Sequence, residues 1–152
     1  MTRIISAFPG TGKTYLFTHP PAGKVILDSD SSKFSWARRG VRNPKFPTNY
    51  IEHIHDHLGK ADYILVSSHR DVRDMLHKVG MPYIAVFPSL GLMHEYLRRF
   101  TLRGSDPGFV ALLEQNWTGW IQDMSRDCQH GIVLGAGEYL SDVVRMLEGS
   151  EP

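Results

Sequence analysis

The chain has one cysteine, Cys128, in 152 residues, so an internal disulfide is excluded and a reducing compartment is the natural expectation. It has no apolar run of 18 residues, and a membrane-spanning helix is not expected. No basic-apolar-small leader precedes the first apolar run, so no signal peptide is expected and a cytoplasmic location follows. No stretch repeats at a fixed period and no low-complexity tract interrupts the chain. Charge of one sign is also lacking: 17 Lys and Arg against 16 Asp and Glu leave a net charge of +1, so any surface for a polyanion must be local. A hydrophobic share of 41% with 22% charged residues is ordinary for a globular chain, and the length suits one domain over residues 1–152.

Against those absences stands one dense motif. Ile4-Ile5-Ser6 leads into Ala7-Phe8-Pro9-Gly10-Thr11-Gly12-Lys13-Thr14, and a helical pattern follows. Glycines in register with Lys-Thr, between a strand and a helix, form the end of a P-loop, whose backbone N–H groups wrap nucleotide phosphates. Pro9, Gly10, Thr11, Gly12, Lys13 and Thr14 are therefore the expected ATP-binding residues. Lys13 would reach the β- and γ-phosphates and Thr14 would hold Mg²⁺. Ala7 stands where the full pattern has its first glycine.

The remaining chain alternates strands and helices. Strands are expected at Arg3–Phe8, Lys24–Leu27, Tyr63–Val66, Tyr83–Phe87 and Gly131–Leu134. Helices are expected at Lys13–Thr18, from Thr48 or Asn49 to Leu58, and over Asp71–Val79, Leu90–Leu102, Gly108–Arg126 and the C-terminal stretch to Leu147. Ser31–Arg39 reads as a short helix or ordered loop, and Val41–Pro47 as irregular. This pattern predicts an α/β three-layer sandwich: a five-stranded, mostly parallel sheet with helices on both faces. In such sheets ligands lie at the carboxyl ends of the strands.

That rule picks out four further groups. Asp28-Ser29-Asp30 ends the second strand, where alternation puts both carboxylates on one side. Phosphoryl transfer to a hydroxyl needs a base and a carboxylate near the metal, so Asp30 is the candidate base and Asp28 the candidate metal ligand. Arg99 and Arg103 lie four apart on the helix after strand four and would stabilise a transferring phosphoryl group, with Gly104-Ser105-Asp106-Pro107 as a hinge that makes the segment a lid. Lys33, Phe34, Trp36 and Arg38 pair aromatics with bases, a combination suited to a flat heterocycle and its phosphates; core packing of Phe34 and Trp36 is the competing expectation. Gly135, Ala136 and Gly137 leave room for a purine ring against the backbone. His53 and His57 share a helix face but have no placed partners to complete a metal site, and Mg²⁺ is the one metal expected.

On these residues the chain resembles the P-loop kinases of the nucleotide and polynucleotide kinase group, especially the 5′-hydroxyl polynucleotide kinase domain of T-even phages. Phe8 to Thr14 is similar to that family's phosphate loop. Val25 to Lys33 resembles its second-strand segment, with Asp30 at the general-base position and Lys33 at the basic position that follows. Glu95 to Gly104 is similar to its lid helix, with Arg99 and Arg103 at the matching arginines. Asp28-Ser29-Asp30 also resembles the acidic pair of shikimate-type kinases. Ser68 stands where the polynucleotide kinases carry an Asp. The resemblance implies a Mg²⁺-ATP-dependent kinase whose acceptor is a hydroxyl on a nucleic-acid component, and in particular a hydroxymethyl pyrimidine in phage DNA, with the host cytoplasm as its location if it is phage-encoded. A deoxynucleoside monophosphate kinase, with Lys33, Arg38, Arg39 and Arg42 as phosphate-binding cations, is the alternative within the class. A P-loop nucleotide-binding module that transfers nothing is the alternative outside it.

Overall fold

The computed structural model describes residues 1–29, 34, 36–38 and 40–149. Five strands form one fully parallel sheet in the order β2-β5-β1-β6-β7, with β1 Arg3–Ala7, β2 Ile26–Asp28, β5 Tyr63–Ser67, β6 Ile84–Pro88 and β7 His130–Leu134. The inner strands β1, β5 and β6 are short and mostly apolar because helices cover both faces, whereas the edge strand β7 is largely exposed. β1 is central, with β5 on one side and β6 on the other, and the direction in which the chain adds strands reverses there. That reversal opens a crevice at the carboxyl end of β1.

The side-chain period of two sorts the sheet residues between two cores. Ile5, Ala7, Ile26, Leu65, Val86 and Leu134 face α1 (Lys13–Thr18) and α6 (Leu140–Gly149), packing with Leu16, Leu140, Val143 and Val144. Ile4, Phe8, Ile64, Val66, Ala85 and Phe87 face α2 (Thr48–His57), α3 (Arg70–Lys78), α4 (Met93–Leu102) and α5 (Pro107–Asp127). The three-layer α/β sandwich expected from the sequence is therefore the observed fold. A single turn of 3₁₀ helix, Leu90–Leu92, leads into α4, so the expected Leu90–Leu102 helix begins with a tighter turn.

One stretch departs from expectation. Within 31–47, Trp36–Arg38 (β3) and Val41–Arg42 (β4) pair as a two-stranded antiparallel hairpin, with Gly40 at φ +77° between them. Trp36 faces Arg42 across the pair, and the Arg42 guanidinium lies 4.7 Å from the Trp36 ring centre. Both strands are exposed. Without a buried face the residues need not alternate apolar and polar, so periodicity has nothing to register.

Candidate functional site

The glycine-rich loop leaves β1 at Ala7 and enters α1 at Lys13. Gly10 and Gly12 adopt φ +82° and +95°, left-handed conformations that residues with a Cβ rarely take. Thr11 is buried, its hydroxyl donating to Phe8 O at 2.8 Å, while Leu140 N–H, at the start of α6, donates to Thr11 O at 2.9 Å. Phe8 N–H continues the β1–β6 ladder by donating to Val86 O. Lys13 Nζ donates to Ala7 O at 3.1 Å, which holds the ammonium against the loop. Thr14 follows in the first turn of α1, exposed.

The carboxyl end of β2 carries Asp28. Ile26 joins the core under α1 and α6, and alternation returns Asp28 to that same face, where α1 packs against β2. Ser29 turns to the opposite face: its hydroxyl meets His53 Nε2 at 3.0 Å and its carbonyl accepts from Tyr50 OH. Asp28 and Thr14 thus share one face of the sheet. Asp30 and Lys33, the expected base and its basic neighbour, lie outside the described residues.

Arg99 and Arg103 occupy different surroundings despite their four-residue spacing. Arg99 is 13% exposed and sandwiched between the rings of Tyr96 and Tyr139, 4.2 and 4.0 Å from their centres. It donates to Gly10 O at 2.8 Å, to the Glu95 carboxylate at 2.7 Å and to Glu138 O at 3.3 Å. Glu95 also accepts from Gly137 N–H, so one ion pair joins the glycine loop, α4 and the turn after β7. Arg103 is exposed, stacks 4.1 Å from the Phe100 ring centre and donates to Ser105 Oγ at 3.3 Å. Partial loss of solvent around its guanidinium lowers its pKa from the ordinary arginine value. Tyr96 and Phe100 are buried in the larger core and α4 packs on α5, so the arginine-bearing helix stands as a wall beside the loop. Gly135, Ala136 and Gly137 follow β7 beside this wall, with Gly135 N–H held by the Glu138 carboxylate at 2.5 Å.

Of the aromatic-basic group, Phe34 packs on α2, 5.3 Å from the Tyr50 ring and 4.7 Å from the His53 ring between centres, and its carbonyl accepts from Asn49. Trp36 and Arg38 are exposed on β3.

Sequence reasoning missed a pocket of about 420 Å³ beside the loop. Phe8 and Pro9 form one wall, Ser68 to Asp71 after β5 another, Arg42 and Phe46 a third, and Phe109, Trp120 and Met124 close it from α5. At its base Arg73, 2% exposed, donates to Asp123 at 2.6 Å and Asp127 at 2.9 Å. Burial alone would lower the Arg73 pKa, but the bonds and field of Asp123, joined by Asp127, hold it above the ordinary arginine value. The one signal available was position: Ser68 to Asp71 follow a strand that the carboxyl-end rule selects.

The fold is shared with a tunicamycin resistance protein. Over 97% of this chain and 93% of that one, the Deinococcus radiodurans tunicamycin resistance protein superposes with a TM-score of 0.62 at 16% sequence identity. At that identity the likeness is one of fold. No family model matches the chain, and no curated protein matches it in sequence. Among the described residues no helix is long and apolar enough to cross a membrane.

Proposed function

We propose that the protein is a Mg²⁺-ATP-dependent phosphotransferase acting on a hydroxyl of a nucleic-acid component. The observation that carries this reading is the Phe8–Thr14 loop at the strand-order reversal, with Lys13 folded over it and a pocket of about 420 Å³ at its side. The residues suit MgATP in kind: a lysine and two left-handed glycines in the loop, and a hydroxyl and a carboxylate, Thr14 and Asp28, on one face of the sheet. MgATP would supply the phosphoryl group.

Lys13 and the loop amides would hold the β- and γ-phosphates and take up the charge left on the departing diphosphate. Thr14 and Asp28 would hold the metal, directly or through water. Asp30 would accept the proton of the acceptor hydroxyl as its oxygen bonds to phosphorus, a role for which its position after Asp28 in the sequence is the support. Arg103, an exposed residue stacked on Phe100 at the end of α4, we assign to the transferring group; Arg99 acts through Gly10 and Glu138. Gly135, Ala136 and Gly137 would border the purine. The acceptor version we favour is a hydroxymethyl pyrimidine of DNA, because a carboxylate base serves a hydroxyl and has no task with a phosphate acceptor.

Radiolabelled ATP offered with hydroxymethyluracil DNA, 5′-hydroxyl oligonucleotides and free deoxynucleoside monophosphates tests this. Label on one of the two DNA hydroxyls is the expected result, and Asp30→Asn should lower its rate by about two to four orders of magnitude. Near-normal transfer by that variant would remove Asp30 from the mechanism. Label moving to monophosphates would instead favour the monophosphate kinase, a reading for which Arg42 and Arg70 at the pocket are the specific support. Release of inorganic phosphate alone would favour a nucleotide-binding module.

A further inference from the structure

The even overall charge conceals a marked asymmetry. Residues 31–51 contain five of the chain's 17 basic residues and none of its 16 acidic ones, leaving twelve basic against 16 acidic elsewhere. The β3–β4 hairpin lies in this stretch, with Arg38 and Arg42 exposed on it and Lys45 exposed just beyond. Trp36, 44% exposed, stands on the same hairpin with the Arg42 guanidinium over its ring. Arg42 is also 5.9 Å from the Phe46 ring centre, and both Arg42 and Phe46 line the pocket beside the glycine loop. An exposed indole costs free energy in water, and among the described residues Trp36 belongs to neither core. Basic side chains that follow a backbone, interleaved with an aromatic face on which unpaired bases stack, are the two elements of single-strand recognition.

We infer that the β3–β4 hairpin is a grip for single-stranded nucleic acid, holding the strand that flanks a nucleotide inserted in the pocket. This rests on the phosphotransferase reading above and sharpens its acceptor: one unpaired or extruded nucleotide of a strand, rather than a free nucleotide or a stacked duplex. Enzymes that act on a base take it out of the stack first, and the pocket of about 420 Å³ beside the loop, lined in part by Pro9 and Arg42, would receive such a base. Trp36 offers its ring only to bases that have left their partners. Arg42 couples the two parts, touching Trp36 on the hairpin and facing the pocket.

The test uses the full chain and three probes: fluorescein-labelled dT10, the same label on a dT10·dA10 duplex, and unlabelled dTMP as competitor. By fluorescence anisotropy dT10 should bind at least about ten times more tightly than the duplex, and dTMP should compete only at far higher concentration. Trp36→Ala should weaken dT10 binding by at least about fivefold, the lower end of what loss of one base stack costs. The double variant Arg38→Ala/Arg42→Ala should reduce the salt slope of log K by about 1.4, two phosphate contacts at about 0.7 each. Circular dichroism and a MgADP titration on each variant establish that fold and loop are intact. Equal binding of duplex and single strand, or dT10 affinity and salt slope unchanged in these variants, overturns the inference. If dT10 behaves as expected while wild-type protein fails to bind MgADP, the grip stands and the phosphotransferase reading falls. If MgADP binds and dT10 does not, the grip falls and a monomeric acceptor takes its place.

Discussion

Gly10 is where the least change has the most consequence. Its φ of +82° is left-handed, and a Cβ placed on it would come 2.9 Å from Phe100 Cε2 and 3.2 Å from Tyr96 Cδ2. Both aromatic rings belong to the packed α4, so they cannot step aside cheaply. Gly10→Ala should cost about 2–3 kcal/mol in urea unfolding, combining about 1–2 kcal/mol for the left-handed conformation with overpacking, and should weaken MgADP binding in parallel. An unchanged unfolding midpoint would show that the loop yields. Next to Gly10, Tyr96 carries the opposite opportunity. Its ring is fully buried, with Arg99 stacked on the face, and its hydroxyl has no hydrogen-bond partner among the described residues. Burial pushes its pKa to about 12, and Tyr63, buried and donating to Glu148, is likewise pushed to about 12. A raised acid pKa means the folded state keeps protons that the unfolded chain releases near pH 10. This contribution is complete below about pH 10 and is lost as pH rises toward 12. Tyr96→Phe should therefore stabilise the protein by about 1 kcal/mol at neutral pH and flatten the alkaline fall in stability, both read from unfolding midpoints across pH 8–12. A loss of stability at neutral pH would mean that the hydroxyl is better satisfied than its geometry indicates.

At the scale of elements, α4 and the glycine loop behave as one piece. Arg99 joins Gly10 O, Glu95 and Glu138 O while stacked between two tyrosines, a set of bonds that a lysine cannot reproduce. Arg99→Lys should weaken MgADP binding by about tenfold or more, because the loop carbonyl loses its brace even when no γ-phosphate is present. Arg103→Lys should leave MgADP affinity within about twofold and lower only the transfer rate. Equal effects on ADP affinity in calorimetry would dissolve this division of labour. The helix itself was legible in the sequence from its apolar spacing, and so was the shared face of the two arginines. Their different fates were not, since Tyr139 and Glu138, which capture Arg99, lie about forty residues along the chain and follow no motif. The strands were legible for a related reason: burial on both faces demands unbroken apolar runs such as Tyr63 to Val66, and those runs stand out. The β3–β4 hairpin has no buried face, so its residues were free of that demand and left no periodic trace.

Across the whole molecule the glycine loop sits at the seam of the two cores. Phe8 belongs to the larger core, packed against Trp117 with ring centres 5.4 Å apart, whereas Ala7 and Leu16 belong to the smaller. Thr11 O is tied to the start of α6, and Gly10 O is tied to α4. The loop could be read from eight consecutive residues because a strand-to-helix turn with two left-handed glycines is specified by local sequence. The neighbouring pocket could not, because it is assembled from Pro9, Arg42, Ser68 and Trp120, which tertiary packing alone brings together. A ligand held by the loop therefore bears on both layers of helices, and its binding should register in global stability rather than in local order alone. At a concentration one hundred times its Kd, MgADP should add about 2.7 kcal/mol to the folded state. For a chain of this length each kcal/mol moves the melting temperature by about 2–4 °C, so a rise of about 5–11 °C is expected in calorimetry. Lys13→Ala, which removes the ammonium that Ala7 O holds against the loop, should abolish that rise while the nucleotide-free protein still unfolds cooperatively. A shift of the same size in Lys13→Ala would locate the nucleotide away from the loop and overturn the site.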